Sequence, residues 1–256
     1  MLKYLPISAL YTLAHAEGEG ARAAYQYFVK RLALSRWLAR AGRPQRILIA
    51  GLPEALGSSL DFLQLAAECG ARVTVADERP RVLAHHVRAW HAAQRQGRLR
   101  AVAPALVQVD SVAELSALSP VYDLCVSSGV LHKLAGPARA LYTARLRRLA
   151  PAVALFAPNA DNVTHRGHGV HRRELNELIA ATAAYPGRPL PATGYGDMLP
   201  YPPTGHGVDA RHPLAEASPL ATSAVNGLEL YARIEPLLPL SLRRSRSHLV
   251  YAFIAS

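Results

Sequence analysis

The stretch of residues 46–77, RILIAGLPEALGSSLDFLQLAAECGARVTVAD, constrains the fold more than any other part of the chain. An apolar run over residues 47–50 ends at Gly51, and after a loop the apolar residues recur with helical spacing as far as Gly70. A second apolar run leads directly to Asp77. The pattern predicts a strand, a glycine turn, a helix with a left-handed glycine cap, and a second strand that ends in a carboxylate.

In a parallel sheet, such a unit is typical of a site for a nucleotide-like ligand. The amides of the loop and of the helix N-terminus, around Gly51, Gly57 and Ser58, would receive an anionic group, and Asp77 would accept from a ribose diol. The dinucleotide pattern G-x-G-x-x-G is absent, because no glycine lies between Gly51 and Gly57, so the indication for NAD is weak. The alternative is an ordinary βαβ unit in which the glycines serve the turn and Asp77 caps the next helix.

Length and composition bound the class of protein. A chain of 256 residues with 50% hydrophobic content can bury one good core, which favours one α/β domain with an elaboration over two independent domains. No apolar run approaches the length that crosses a bilayer, and residues 1–20 show no secretory cleavage pattern. Two cysteines, Cys69 and Cys125, are too few for a disulfide framework. We expect a cytoplasmic protein with reduced thiols and no membrane partner.

The formal net charge of +11 raises the question of a nucleic-acid partner, because clustered Lys and Arg neutralise phosphates. The basic residues are spread along the chain, however, and only two local clusters occur: Arg145, Arg147 and Arg148, and Arg243, Arg244 and Arg246. We expect these clusters to be solvated faces, with a nucleic-acid surface as the alternative.

Periodicity predicts strands that alternate with helices over the rest of the chain. Predicted helical segments are residues 14–40, 80–96, 111–118, 137–149, 172–185 and 228–239, and predicted strands are 106–109, 124–126, 152–156 and 248–254. This alternation argues for a mainly parallel, doubly wound sheet. The last strand is apolar on both faces and belongs inside the sheet.

The helical region before the first strand carries an apolar stripe that is expected to pack on the sheet domain. The alternative is a lid over a substrate pocket, with Tyr25, Tyr27 and Phe28 near the ligand.

Three segments resemble class I S-adenosylmethionine-dependent methyltransferases of the small-molecule, type 11 group. YDLCVSSGVLHKL is similar to their fourth-strand segment, LRRLAPAVALFAPNADN to their fifth-strand segment, and VTVADERP to their second strand with its ribose-binding acid. Together these matches cover residues 46–162 in the family's order. The first motif departs from the family, because Ile49 stands where an acid is usual and the alternating glycines are missing.

The resemblance implies a Rossmann-like methyltransferase sheet with an antiparallel last strand, helices on both faces and S-adenosylmethionine as cofactor. It implies that Gly51 lines the methionine part, that Asp77 binds the ribose hydroxyls and that Asp110 lies near the adenine. The residues expected at the sulfonium end are Ser127, Ser128 and Leu131. The residues themselves leave a capping role open for Asp110, and for His132 either a substrate or proton role or simple packing.

The part beyond the fifth strand carries further candidate residues. His165, His168 and His171 recur at three-residue steps, but no Cys or Glu joins them at a recognised spacing, so we expect a solvent- or substrate-facing loop and no metal. Residues 193–205 form a predicted loop rich in Pro, Gly and Tyr, and loops of this length often cover a functional site. Tyr195, Asp197 and Tyr201 are the expected substrate contacts there, with a structural strap as the alternative.

We therefore divide the chain into a helical cap (1–45), a cofactor-binding core (46–162), a covering helix and loop (163–227) and a last helix and strand (228–256). The expected function is in-line methyl transfer to a small organic acceptor, which needs alignment in a dry site more than a dedicated base. For a hydroxyl acceptor, His132, His165 or Tyr195 would assist. The alternatives are an RNA-directed methyltransferase and a non-catalytic binding relative, and homo-oligomer formation stays open.

Overall fold

The computed structural model describes residues 5–17, 19–53, 59–116, 118–119, 121–182, 192–198 and 219–255. These residues form eight α-helices and one seven-stranded sheet. The helices are α1 (Ile7–Ala16), α2 (Ala21–Ala41), α3 (Leu60–Cys69), α4 (Pro80–Arg95), α5 (Gly136–Leu149), α6 (Arg172–Thr182), α7 (Pro219–Ile234) and α8 (Leu240–Arg246). The strands are β1 (Arg46–Ala50), β2 (Arg72–Asp77), β3 (Ala105–Gln108), β4 (Leu124–Ser128), β5 (Ala152–Pro158), β6 (Ala192–Gly196) and β7 (Leu249–Ala255).

The strand order in the sheet is β3-β2-β1-β4-β5-β7-β6. Strands β1 to β5 run parallel to their neighbours, whereas β7 is antiparallel to both β5 and β6. The expected fold class, a mainly parallel doubly wound sheet with an antiparallel last strand, is confirmed. The chain order reverses between β1 and β4, and open α/β sheets bind ligands at the carboxyl ends of such strands.

Alternate side chains along the strands point to opposite faces of the sheet, where they form two apolar layers. In β1, Ile47 and Ile49 pack with α1 to α4, whereas Leu48 and Ala50 pack with α5 and α6. All four of these side chains are buried, as expected for a strand in the centre of a parallel sheet. The helix after β1 ends at Gly70 with φ +62°, so the predicted left-handed cap is confirmed.

The two N-terminal helices belong to the core of the sheet domain. Their buried side chains, among them Leu10, Tyr25 and Phe28, lie in the same apolar cluster as β1 and α3. Near the end of α2, the ring of Trp37 stacks on Phe253 of β7, with 5.2 Å between the centroids. The predicted packing of this region on the sheet is confirmed.

Several parts of the chain differ from the prediction. Residues 111–116 form turns and no helix, and the predicted loop 193–205 begins with strand β6, which runs from residue 192 to 196. Helix α7 begins at residue 219, earlier than predicted, and the separate helix α8 was not predicted. Strand β6 was not predicted because it contains two glycines, which are uncommon within strands. One of them, Gly194, leaves room for the Tyr251 side chain on β7, since a Cβ at this position would lie 2.4 Å from the Tyr251 hydroxyl oxygen.

Candidate ligand-binding site

A cavity of about 170 Å³ lies where α2 crosses the carboxyl ends of the central strands. Its walls come from α2, from the turn after β1, from the start of α3 and from the end of β4. The lining residues are Glu19, Arg22, Ala23, Gln26, Tyr27, Lys30, Pro53, Ser59 and Ser128. The cavity therefore sits beside the point where the strand order reverses, and most of its lining side chains are polar.

The glycine turn after β1 is fixed by close packing. Gly51 has φ +74°, and its N–H donates to the carbonyl of Ala76 at 2.7 Å. A Cβ at this position would lie 2.6 Å from Cγ2 of Val130 and 2.9 Å from Cγ2 of Val112. The loops that follow β3 and β4 thus close against the turn, and both the conformation and the space require glycine. Gly57 and Ser58, predicted to hold the cofactor, lie outside the described residues.

Asp77 ends β2 with a carboxylate that is only 1% exposed. Its Oδ2 accepts from the N–H of Leu52 at 2.8 Å, and its Oδ1 accepts from the N–H of Arg79 at 2.9 Å. The Arg79 guanidinium also donates to both oxygens, from Nε to Oδ1 at 2.8 Å and from Nη2 to Oδ2 at 2.9 Å. Burial disfavours the charge on Asp77, but these hydrogen bonds outweigh it, and the pKa of Asp77 is lowered.

The predicted residues after β3 and β4 take different positions. Ser128 lines the cavity, whereas the buried hydroxyl of Ser127 is hydrogen-bonded to Tyr142 at 2.8 Å. Leu131 is fully buried in the apolar layer with α5, and Asp110 is exposed on the loop after β3. Of this group, the structure brings only Ser128 to the cavity.

Helix α2 presents its polar stripe, and not its aromatic stripe, to the cavity. Tyr25 and Phe28, the expected substrate contacts, are buried in the core, and the Tyr25 hydroxyl donates to Glu235 at 3.0 Å. Arg22 and Gln26 line the cavity instead, because they lie one helical turn apart on the neighbouring face. The alternative of a lid that places Tyr25 and Phe28 near the ligand is therefore not observed for these two residues. The third residue of that alternative, Tyr27, does line the cavity.

A buried ion pair supports the floor of the cavity. Lys30 Nζ lies 3.0 Å from Oδ2 of Asp61, and the two side chains are 3% and 5% exposed. The ammonium group also lies 5.0 Å from the ring centroid of Tyr27 and 4.7 Å from that of Phe62. Sequence reasoning missed this pair, because Lys30 and Asp61 belong to different helices and nothing in the local pattern connects them.

Asp197, predicted to contact substrate, is fully buried directly after β6 and has φ +63°. Its Oδ2 accepts from Nε2 of the cavity residue Gln26 at 3.1 Å. Burial is the main reason why the pKa of Asp197 is raised, to about 7, with Glu235 adding to the effect and Gln26, Arg22 and Lys30 opposing it. A buried acid in a strained backbone conformation beside a cavity is a common feature of functional sites.

Tyr195 does not line this cavity. The Tyr195 hydroxyl donates to Oδ2 of Asp161 at 3.0 Å, and its ring lies 5.5 Å from the guanidinium carbon of Arg172. Burial and the bond to Asp161 raise the pKa of Tyr195 to about 12. Tyr201 lies outside the described residues.

His165 forms the middle of a chain of three imidazoles. Its Nε2 lies 3.1 Å from Nδ1 of His248, and its Nδ1 lies 3.3 Å from Nε2 of His168. Burial lowers the pKa of both His165 and His248 to about 4, with neighbouring charges, including Arg22, adding to the effect. His132, on a short 3-10 helix after β4, is among the groups that lower the pKa of His165. The rings of His165 and His248 are therefore neutral near pH 7.

The rings of the histidine chain point to different neighbours. Each nitrogen of His165 faces a different imidazole, so the three rings do not converge on one point. Across the residues that the structure describes, no group of three or more His, Cys, Asp or Glu is arranged to hold a metal ion.

Among the helices that the structure describes, none has the length and apolar character to span a bilayer.

Replacing Asp197 with asparagine is expected to change how stability depends on pH. Because the folded-state pKa of about 7 exceeds the ordinary value of 3.8, Asp197 contributes stability at low pH that is lost as the pH rises from about 4 to 7. The variant lacks this loss. Between pH 4 and 7, the difference in free energy of unfolding between variant and wild type should therefore change by about 3 kcal/mol in favour of the variant. Urea unfolding at each pH measures the difference, in which the unchanged contributions of His165 and His248 cancel. Parallel pH profiles would contradict the expectation.

Comparison with known proteins defines the fold and leaves the activity open. No family model and no curated protein matches the sequence. Among solved structures, the chain resembles the methyltransferase domain of bacterial CtHen1-CN at 12% identity and TM-score 0.53, covering 89% of this chain and 98% of that one. It also resembles a SAM-dependent methyltransferase from Archaeoglobus fulgidus at 12% identity and TM-score 0.52, covering 89% and 94%. The chain has a Rossmann-like methyltransferase fold.

Proposed function

We propose that this protein is an S-adenosylmethionine-dependent methyltransferase that acts on a small organic acceptor. One observation carries the proposal: a buried carboxylate, Asp77, ends β2 and accepts from the glycine turn after β1, where Pro53 lines a polar cavity at the reversal of strand order. Parallel α/β sheets bind nucleotide-like ligands at this place.

The residues present fit the adenosyl group. Asp77 is held by the backbone N–H groups of Leu52 and Arg79, so its carboxylate has a fixed orientation that is independent of any side chain. The two O–H groups of a ribose diol are donors of the kind that its oxygens already accept from the Arg79 guanidinium. Ile49, at the position where the methyltransferase family usually carries an acid, is buried in the core. The polar side chains of the cavity, among them Ser59, Ser128 and Glu19, are therefore the groups available to the methionine end.

S-adenosylmethionine, when bound, supplies a methyl group on a positively charged sulfur. The protein then has to align the acceptor and exclude water, and α2 does both by covering the cavity. An acceptor that must lose a proton needs a group that takes it. The Tyr195 hydroxyl is engaged with Asp161, and the Gln26 amide, which carries no proton, lies between Asp197 and the cavity. His132 is therefore the residue that we propose for this role.

The net positive charge favours a second candidate, an RNA-directed methyltransferase, but the two arginine clusters weaken it. Arg145 donates to the carbonyl groups of Leu115 and Leu118, and Arg243 donates to the carbonyl of Tyr195. Arg244 pairs with Asp161 at 3.0 Å. Guanidinium groups that already bind the protein are less available for phosphates, so we rank this candidate below the small-molecule enzyme.

Calorimetric titration of the purified protein with S-adenosylmethionine and S-adenosylhomocysteine tests the proposal. We expect dissociation constants near micromolar, equivalent to about 8 kcal/mol of binding free energy. A folded sample that binds neither ligand at millimolar concentration would contradict the methyltransferase proposal and favour the non-catalytic relative.

A further inference from the structure

The Arg79 side chain occupies the place on Asp77 where a ribose diol would bind. From this we infer that Arg79 determines the specificity of the site: only a ligand with two adjacent hydroxyl groups displaces the guanidinium efficiently. The inference rests on the proposed function, since it concerns the same adenosyl site. It adds a residue that competes with the ligand for the carboxylate.

The hydrogen bonds of Asp77 carry the first step. Its two oxygens offer about four acceptor sites, and four described N–H groups fill them: two from the backbone and two from the guanidinium. A diol therefore gains access to Asp77 by replacing existing donors. The backbone donors are fixed by the fold, which leaves the guanidinium as the group to be replaced.

The burial of the two partners decides which one moves. The Arg79 side chain is 29% exposed, whereas that of Asp77 is 1% exposed. A guanidinium that leaves Asp77 reaches water by rotating about its own side-chain bonds, and an exposed arginine remains well solvated. Asp77 stays in place through Leu52, and the exchange requires no shift of the sheet.

Arg79 also connects the two turns that border the site. Its Nη2 donates to the carbonyl of Leu52 at 2.7 Å, so a single side chain bridges the turn after β1 and the turn after β2. Displacement of Arg79 removes this bridge together with the two bonds to Asp77. The cost of opening is therefore part of the apparent affinity, because a ligand binds less tightly when the competent conformation is a minor one.

The same arrangement predicts discrimination between ribose and deoxyribose. A diol replaces both guanidinium donors, one for each carboxylate oxygen. A ligand with one hydroxyl leaves a buried oxygen without its second donor, and a site built around hydrogen bonds rejects an analogue that lacks one of them.

The test compares two single variants that remove the same charge from neighbouring positions. Arg79→Ala deletes the competing guanidinium, whereas Arg81→Ala deletes an exposed arginine at the start of α4 that has no described bond to Asp77. We expect calorimetry to show that Arg79→Ala binds S-adenosylhomocysteine roughly tenfold tighter than wild type. Arg81→Ala should bind as wild type does. Arg79→Gln, which keeps a polar side chain but is shorter and lacks the bidentate fork, should also bind more tightly.

Adenosine and 2′-deoxyadenosine serve as the second pair of probes, and thermal unfolding confirms that each variant is folded. Wild type is expected to bind adenosine and to reject the deoxy compound. If wild type binds S-adenosylhomocysteine and both Arg79 variants bind it equally or more weakly, the inference is overturned while the proposed function stands. If no folded form binds any of the probes, the proposed function falls and the inference falls with it.

Discussion

Replacement of Asp77 with alanine is expected to weaken the binding of S-adenosylhomocysteine at least about 100-fold, equivalent to roughly 3 kcal/mol. The substitution removes the acceptor for the ribose hydroxyls. It also removes the partner of the Leu52 N–H, which is then buried without its side-chain acceptor and no longer holds the turn after β1. Calorimetric titration measures the loss.

Asp123 provides a matched control for this experiment. It lies just before β4, at the amino ends of the parallel strands, whereas Asp77 lies at their carboxyl ends. Its Oδ2 accepts from the N–H groups of Gln45 and Arg46 at 2.8 and 2.9 Å. Asp123→Ala thus removes a carboxylate that is also anchored to the backbone, but far along the strands from the cavity. We expect it to leave binding unchanged. Equal effects of the two substitutions would mean that Asp77 acts through folding and not through the ligand.

Replacement of Lys30 with methionine is expected to lower the free energy of unfolding by about 3–5 kcal/mol, because it leaves the Asp61 carboxylate buried without its counter-charge. Urea unfolding measures the loss.

Two further variants define what the Lys30 result means. The double variant Lys30→Met with Asp61→Leu removes both charges and should recover most of the stability, since an apolar pair of similar size avoids the unpaired charge. Arg173→Ala breaks the exposed pair with Glu177 at 2.9 Å and should cost less than about 1 kcal/mol. A loss of that small size for Lys30→Met would show that the buried pair contributes no more than a surface one.

The sheet and its carboxylate follow from the sequence because both depend on local pattern. Apolar runs that end in Gly51 and Asp77, with helices of the right length between them, predict a mainly parallel, doubly wound sheet through general rules of α/β topology. Strand β6 does not follow, because its two glycines match a turn and its pairing partner β7 lies more than fifty residues further along.

The cavity was harder to predict than the fold, for a geometric reason. The apolar stripe of α2 predicts that the helix packs on the sheet, and Tyr25 and Phe28 lie in the core. Tyr27 belongs to the same core cluster and also lines the cavity, so the stripe alone does not tell which of its side chains reach a ligand. The polar positions Arg22 and Gln26, one turn apart, carry the available signal. Contacts such as Lys30 with Asp61 join separate helices, and one sequence holds no trace of them.

Two adjoining stripes of α2 are under different constraints. One stripe of the helix belongs to the core, and the adjoining stripe forms the roof of the cavity. Substitutions at the exposed Arg22 can therefore accumulate without passing through a destabilised ancestor, whereas those at Tyr25 and Phe28 cannot. New ligand preferences on this scaffold would be expected to arise through the roof stripe, with the neighbouring core stripe left unchanged.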